Sequence, residues 1–326
     1  MNPLSSSPKI SIVMPAYNAS KYIIKAVESI LNQTYRTIEV LIADDKSTDN
    51  TREIIDNIKD SRIKILHNEQ NLGYLKTCNK LLSNANGELI TFQDADDFSP
   101  SDRLEIQLSA FLNDIELGAC TTNYTMVNEK GKKIISRNWN TNYLKFKSDI
   151  NYNPLFCGAT IMVKREVMDD VGLYNTFFDR IGGEDYEWLY RIASKYKVIH
   201  LQQDLYSYRI HDSAVKTTNT NRKKYYVHEI LNFIRTQHIL TGKDYLSEKY
   251  LPELNKKIDE LDKPFREDNS MISRIEAYTA FNNGTYWRFL FFLAKAIISE
   301  PGKIDNYKIL PACIYSQIRK LFKKSI

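Results

Sequence analysis

Glycine and proline are scarce in this chain, 11 and 9 of 326 residues, which excludes collagen-like repeats and Pro/Gly-rich disorder. Cysteine is scarcer. Cys78, Cys120, Cys157 and Cys313 lie far apart, with no CxxC pair. Neither a disulfide framework nor a zinc ligand set is indicated, and the four read as reduced, mostly buried thiols of a cytosolic protein. No GxxxxGK[ST] or GxGxxG occurs, so no P-loop or dinucleotide fingerprint is present, and GxSxG and HExxH are absent too. The longest late apolar run, Phe289 to Ala294, is broken by Lys295, far short of the ~20 residues of a membrane span. The opening MNPLSSSPK lacks the apolar core of a signal peptide.

What is present fits a folded globular protein: hydrophobic residues make up 43%, enough to build a core. The net charge of +5 is unevenly spread. Residues 221–326 carry 19 Lys+Arg against 12 Asp+Glu, and the earlier residues carry a slight acidic excess. From Lys303 onward six basic residues meet one acid, Asp305. A basic end suits an anionic partner such as a phospholipid surface, or is simply a solvated helix face. Nothing in the composition calls for a nucleic-acid partner.

Residues 1–125 alternate short apolar runs with helical periodicity. Strands are expected at Ile10–Met14, Ile38–Ala43, Ile63–Leu66 and Glu88–Phe92. Helices are expected after Asn18 or Ser20 as cap, at Arg52–Ile58 behind Ser47 and Asp49, at Tyr74–Ser83 and at Ser101–Leu112. Strands alternating with helices imply βαβ units and a mostly parallel sheet, an α/β fold whose ligands bind beyond the carboxyl ends of the strands. That places PAYN (15–18), the acids at 44–45, the loop at 67–73 and QDADD (93–97) on one rim. Residues 126–153 read as a β excursion. A strand is expected at Ala159–Val163, helices at Arg165–Val171 and Asp185–Tyr196, and two strands at Lys197–Leu201 and Leu205–Ile210. Beyond Arg222 the pattern is helical, broken by Pro252, Pro264, Pro301 and Pro311.

Three constellations carry chemistry. Asp94, Asp96 and Asp97 crowd one strand-end loop, with no basic residue after them until Arg103. Carboxylates so placed suit a hard divalent cation, Mg²⁺ or Mn²⁺, or else form a solvated acidic turn. Alternation sends Asp94 and Asp96 one way and leaves Asp97 to cap the next helix. In IGGEDYEW, Glu184 and Asp185 open a helix whose positive end favours negative charge. A carboxylate there can act as a general base or merely as an acidic cap. In YSYRIHDSAVK, a strand delivers Arg209 and His211 to the same face, where both can meet phosphate and His can bind metal, or where the His is structural.

Taken together, IVMPAYN (12–18), IADDKSTDNT (42–51), NEQNLGYLKTCN (68–79), ELITFQDADD (88–97), CGATIMVKREV (157–167), GGEDYEW (182–188) and YRIHDSAVK (up to Lys216) resemble the family 2 glycosyltransferases, inverting enzymes with a GT-A fold. The resemblance implies a Rossmann-like, mostly parallel sheet flanked by helices over 1–220 as the catalytic domain, with 221–326 a mainly helical extension. It implies a nucleotide-sugar donor, with UDP expected, and a saccharide or lipid-linked saccharide acceptor. Pro15, Ala16, Tyr17 and Asn18 would hold the base and ribose, and Asp44 would accept from the base. Asn71 and Gly73 would shape the covering loop, and Asp94 with Ala95 would support the ribose or the metal's waters. Asp96 would ligate Mn²⁺ or Mg²⁺, His211 would complete the metal or diphosphate site, and Arg209 would stand beside it. Asp185 would be the base, with Cys157, Gly158, Glu184 and Trp188 near the acceptor. Members often have Ala-Arg-Asn where this chain has Thr77-Cys78-Asn79, so the arginine that can touch the base is missing, and Lys76 is the candidate replacement. The rival readings are a nucleotidyltransferase, which would want a Gly/Lys-rich phosphate loop in place of PAYN, and a non-catalytic sugar-nucleotide binder, which would not need Asp185. The aromatic and basic stretch Tyr286–Leu293 further suggests a helical extension that makes peripheral contact with the cytoplasmic face of the inner membrane or closes over a lipid-linked acceptor, or else packs on the catalytic domain.

Overall fold

Four apolar runs of the first hundred residues become parallel strands, alternating with helices. In the computed structural model, which describes residues 1–211, 221–282 and 285–313, the order is β1 (Ile10–Ala16), α1 (Ile23–Leu31), β2 (Ile38–Asp44), α2 (Thr51–Asp56), β3 (Ile63–His67), α3 (Tyr74–Leu82), β4 (Leu89–Phe92) and α4 (Arg103–Asn113). There follow β5 (Leu117–Val127), β6 (Lys133–Arg137), α5 (Tyr143–Ser148), β7 (Met162–Lys164), α6 (Arg165–Val171), α7 (Glu184–Lys195) and β8 (Lys197–Arg209). The remaining named helices are α8 (Val227–Thr241), α9 (Leu251–Glu267), α10 (Met271–Asn282) and α11 (Tyr286–Ser299).

The eight strands form one sheet in the order β3-β2-β1-β4-β7-β5-β6, with β8 beside β5. β1 to β4 are mutually parallel, whereas β7 runs antiparallel to both β4 and β5. The central strands β1 and β4 are buried along their whole length, as expected of parallel strands covered on both faces. The edge strands β3 and β6 are partly buried and largely exposed, respectively. On one face Ile10, Ile12 and Met14 of β1 share a core with Ile23, Val27 and Ile30 of α1 and Leu104, Leu108 and Phe111 of α4. α3 turns Cys78, Leu81 and Leu82 inward. Pairing of Ala16 with Asp44, and of Asp44 with His67, puts the ends of β1, β2 and β3 side by side. The expected common rim is therefore real.

Several local expectations change. Neither Asn18 nor Ser20 caps α1: Tyr22 precedes it without a side-chain cap. Asn18, at φ +52°, instead accepts from the Thr48 amide at 2.8 Å, fastening the first rim loop to the second. The β excursion at 126–153 contains β6 but also the helix α5, and the eleven-residue β5 that begins it lacks a simple alternation because it is buried on both faces through Asn123. The two strands expected at 197–201 and 205–210 are one strand, β8, kept continuous by register shifts against β5. Pro264 does not end a helix: it sits inside α9, which carries a second proline, Pro252, in its first turn. That first-turn position costs no hydrogen bond.

The described residues divide into two compact units, one of 1–221 with 231–242 and the other of 222–230 with 243–326. Within the second, Phe289 of α11 packs with Ala277 and Ala280 of α10. No described helix is long and apolar enough to cross a membrane.

Candidate active site

The rim begins at the end of β1. Pro15 and Ala16 are buried, and Tyr17 stands 43% exposed beyond them. Beside them lies Asp44, 1% exposed, whose carboxylate accepts the Ser47 amide at 3.1 Å. The next residue, Asp45, carried no expected role. Its amide donates to Ala16 O at 2.8 Å. Its carboxylate accepts the amides of Leu72 (2.8 Å) and Gly73 (2.9 Å) and the Asn68 side chain (2.8 Å). Its carbonyl accepts from the Asn71 amide group at 3.2 Å. Asp45 thus holds the loop of Asn71 and Gly73 in place. Gly73, at φ +87°, makes the turn into α3, a conformation that suits glycine.

Three acids in four positions would repel one another if they pointed together. The fold sends them to three different partners. Asp94 accepts from the Tyr74 hydroxyl at 3.1 Å. Asp96 faces His211, with Oδ2 to Nε2 at 2.8 Å. Asp97 is 1% exposed and accepts the Arg209 backbone amide at 2.6 Å. Asp97 therefore does not cap α4, whose first residue is preceded by Asp102 without a side-chain cap. Burial, reinforced by the charges of Asp96 and Asp94, pushes its carboxyl well above the usual range. Holding a proton on Asp97 removes one of the three charges, which eases the repulsion.

Arg209 reaches the same loop by another route than the one expected. It is 3% exposed, and its guanidinium donates to the carbonyls of Asp96 (2.6 Å) and Glu129 (2.5 Å) and lies 4.7 Å from the Tyr22 ring centre. This geometry supports a positioning role for the acidic loop rather than a direct phosphate contact. Arg103, the first cation after the cluster, is fully buried. It ties Thr91 (2.8 Å), Ser99 (3.0 Å) and the Ala159 carbonyl (2.9 Å) together. An arginine in the first turn of a helix reads as solvent-facing, so its sequence gave no sign of this. The rest of the YRIHDSAVK block, 212–216, lies outside the described residues.

The second half-site is built on α7. Gly182 and Gly183 both adopt positive φ, 89° and 90°, and deliver Glu184 and Asp185 as its first two residues. Asp185 Oδ1 accepts the Tyr186 amide at 2.8 Å. Its other side abuts Gly158: a Cβ built there would lie 2.7 Å from Asp185 Cβ and 2.9 Å from Cγ. Gly158 is thus the only residue type that leaves Asp185 where it is. Cys157, one residue earlier, keeps its proton because burial pushes the thiol up. Burial and the Asp185 charge push Glu184 up to about 7, with a further contribution from Asp94. The two acidic clusters, far apart in sequence, therefore share one electrostatic neighbourhood. Trp188 does not reach it. It is fully buried, donates to Gly172 O at 2.7 Å and packs edge-on against Phe92 and Tyr174. An i+3 position from Asp185 on α7 points into the core, so Trp188 supports the site from beneath and is not an acceptor contact.

Glu184 makes a stability test. With a folded value near 7 against an ordinary 4.5, the folded state holds a proton that the unfolded state has lost between those values. Stability then falls as pH rises from about 4.5 to 7 and stays lowered above. Glu184→Gln is expected to melt higher than wild type at pH 8, with the difference vanishing near pH 4.5. An equal difference at both pH values would show that Glu184 carries no such cost.

Comparison with known proteins follows this geometry closely. The sequence profile described as Glycosyl transferase family 2 matches residues 11–172. An uncharacterized glycosyltransferase of Haemophilus influenzae is 35% identical over 204 residues, covering 62% of this chain and 77% of the relative. The chain belongs to glycosyl transferase family 2. Another relative of this glycosyltransferase, the Escherichia coli UDP-Glc:alpha-D-GlcNAc-diphosphoundecaprenol beta-1,3-glucosyltransferase WfaP, is 33% identical over 207 residues, 63% of this chain and 79% of that protein. Among solved structures, Staphylococcus aureus TarS 1–349 in complex with UDP aligns with a TM-score of 0.56 at 18% identity, covering 82% of this chain and 79% of that one. The Pyrobaculum calidifontis mannosyltransferase PcManGT, in complex with GDP-Man and Mn²⁺, aligns at 0.53 with 19% identity, covering 99% and 84%. At such identities the two structures establish the GT-A fold of this glycosyltransferase. The profile takes in the strand-end rim and the DAD loop but stops short of Asp185, Arg209 and His211.

Proposed function

We propose that this glycosyltransferase moves a sugar from a UDP-sugar to a hydroxyl of a saccharide, carried on a lipid, by a single displacement that inverts the anomeric carbon. The observation that carries the reading is the seat of Asp185: at the start of α7, pressed against Gly158, in the same field as Asp94. An acceptor alcohol is a poor nucleophile at neutral pH. Asp185 takes its proton as the new C–O bond forms and the bond to the nucleoside diphosphate breaks. Pro15, Ala16, Tyr17, Asn18, Asp44, Asn71 and Gly73 form the candidate nucleotide seat. The name of WfaP supports a UDP-sugar and a diphosphoundecaprenol-borne acceptor, and bacterial surface polysaccharide synthesis is the setting proposed with them.

A divalent cation fits the acidic loop by its donor chemistry. Among the described residues no three His, Cys, Asp or Glu side chains are gathered as a preformed site, yet Mg²⁺ and Mn²⁺ commonly take only one or two protein ligands and leave the rest to water and phosphate. Asp96 and His211 supply a carboxylate oxygen and an imidazole nitrogen side by side. Such an ion, bound by those two, would supply a Lewis acid to the leaving diphosphate.

Incubation with UDP-, GDP- and dTDP-sugars, a lipid-linked saccharide and Mn²⁺ tests the reading. Glycosylated acceptor with free UDP is the expected result. Release of pyrophosphate would indicate nucleotidyl transfer instead, and no turnover of any donor would leave a binding protein.

Contact with the lipid that carries the acceptor belongs to the same proposal. α11 is apolar on two sides. Phe289 and Ala296 are buried, while Tyr286, Trp287, Leu290, Phe291 and Ile298 are exposed, Trp287 by 86%. Aromatics with Arg288 and Lys295 on one short helix suit a bilayer interface. Flotation with anionic vesicles that persists unchanged in a Trp287→Ser, Phe291→Ser double variant would count against it.

A further inference from the structure

The segment that leads to Asp185 runs alongside α3 and is stitched to it at three levels. At the far end, Asn79 and Tyr174 exchange bonds, Nδ2 to O at 2.8 Å and N to Oδ1 at 3.0 Å. In the middle, Lys76 Nζ meets Asp179 Oδ2 at 2.6 Å. At the rim, the Arg180 guanidinium donates to Asn71 Oδ1 at 3.0 Å and Asn71 O at 3.2 Å. Phe178 and Ile181, on either side of this pair, are buried, so the segment is anchored while Asp179 and Arg180 face the nucleotide loop. A Cβ on Gly73 would lie 3.4 Å from Asp179 Oδ1 and 3.6 Å from Arg180 Cζ, which shows how close the two strands of chain run.

Two features set Arg180 apart from an ordinary surface cation. Its φ is +55°, a conformation rare outside glycine and asparagine and tolerated where the surroundings fix it. Its partner Asn71 is itself bound to the Asp45 carbonyl at 3.2 Å. A continuous path therefore runs from the end of β2, through Asp45 and Asn71, to Arg180 and on to Glu184 and Asp185. Lys76, for its part, is committed to Asp179. It is the candidate replacement for the arginine missing at Cys78, a position fully buried on α3.

We infer that Arg180 is a positioning residue that joins the two half-sites: its Nη2, bound to two oxygens of Asn71, locks the nucleotide loop to the segment bearing the base, so that donor binding and placement of Asp185 are one event. The inference rests on the reading of Asp185 as base. Arg180 touches neither reacting atom. It acts through Asn71 on one side and through the Ile181–Gly183 link on the other. Both bonds leave one guanidinium nitrogen, Nη2, which reaches the side-chain oxygen and the carbonyl of the same residue.

The test is a double-mutant cycle on the full chain: Asn71→Ala, Arg180→Ala, the pair, and Arg180→Lys, read by turnover of UDP-glucose or whichever donor is active, by donor KM and by calorimetric affinity for UDP. Arg180 is exposed, so Arg180→Ala and Arg180→Lys should melt close to wild type. Arg180→Ala is expected to lower kcat about 10- to 100-fold, the scale of a misplaced catalytic group, and to weaken UDP several-fold. The loss in the double variant should be clearly smaller than the combined losses of Asn71→Ala and Arg180→Ala, because both remove the same tie. Arg180→Lys, whose ammonium can also donate to both oxygens of Asn71, should recover part of kcat. Additive losses, or a fall in melting temperature with kcat unchanged, would overturn the inference. Asp185→Asn run alongside separates the two ideas. Full activity there sinks the base assignment, whereas the coupling of Asn71 with Arg180 in UDP affinity is measured without any proton transfer.

Discussion

Asp185→Asn is expected to lower turnover about 10²- to 10⁴-fold, the usual contribution of a general base, while UDP affinity and melting temperature stay near wild type. The amide keeps the shape of the carboxylate, and its oxygen can still accept the Tyr186 amide that Asp185 binds at 2.8 Å. What it loses is the ability to take the acceptor's proton. Gly158→Ala should reproduce part of the loss without touching the carboxylate, because the added Cβ would meet Asp185 Cβ at 2.7 Å and one of the two must move. The pair of variants separates chemistry from placement. The first leaves geometry and removes the base; the second leaves the base and spoils geometry. Near-normal kcat in Asp185→Asn would refute the role. The neighbouring Glu184, pushed up to about 7, is a second carboxylate of the α7 start able to accept a proton near neutrality. Combining Asp185→Asn with Glu184→Gln tests whether it carries residual activity.

Asp96→Ala is expected to abolish measurable transfer, and chelation of divalent cations with EDTA to do the same to wild type, with activity returning on addition of Mn²⁺ or Mg²⁺. Lewis-acid assistance to a leaving phosphate is worth several kcal/mol, a loss of roughly 10³-fold or more when removed. Asp96 also holds His211 at 2.8 Å, so the substitution strips two donor groups of their arrangement at once. Its effect on folding should be small, because the Asp96 side chain is 32% exposed and the loop keeps the Asp97–Arg209 and Arg103 bonds. Undiminished activity in EDTA would remove the cation from the reaction, and an inactive variant that also fails to bind UDP would assign Asp96 to the donor rather than to a metal.

The elements of the first hundred residues were legible because each is short-range. A fully apolar run such as Ile10–Met14 and a 3.6-residue apolar stripe such as Ile23, Val27 and Ile30 name their own structures. Alternation predicted Asp94 and Asp96 on one side of the loop and Asp97 on the other, and the burial of Asp97 against the partial exposure of the other two agrees. The family was legible for a related reason: its motifs are rim loops, each a few residues long. β5 and β8 were harder. Both pair along their length with strands distant in the chain, and β8 keeps its course only through register shifts against β5. No local period encodes that.

By itself, then, the sequence determined the parallel α/β rim, the acids that stand on it and the family to which they belong. Only the tertiary structure decided what each side chain does there. Asp97 meets the Arg209 amide across 112 residues of chain, Arg180 meets Asn71 across 109, Gly158 makes room for Asp185, and Trp188 is taken into the core. Backbone preference and burial period act within a turn or a strand. Hydrogen-bond partners and close approaches are settled by which loops the strand order brings together, and that order is a property of the packed sheet.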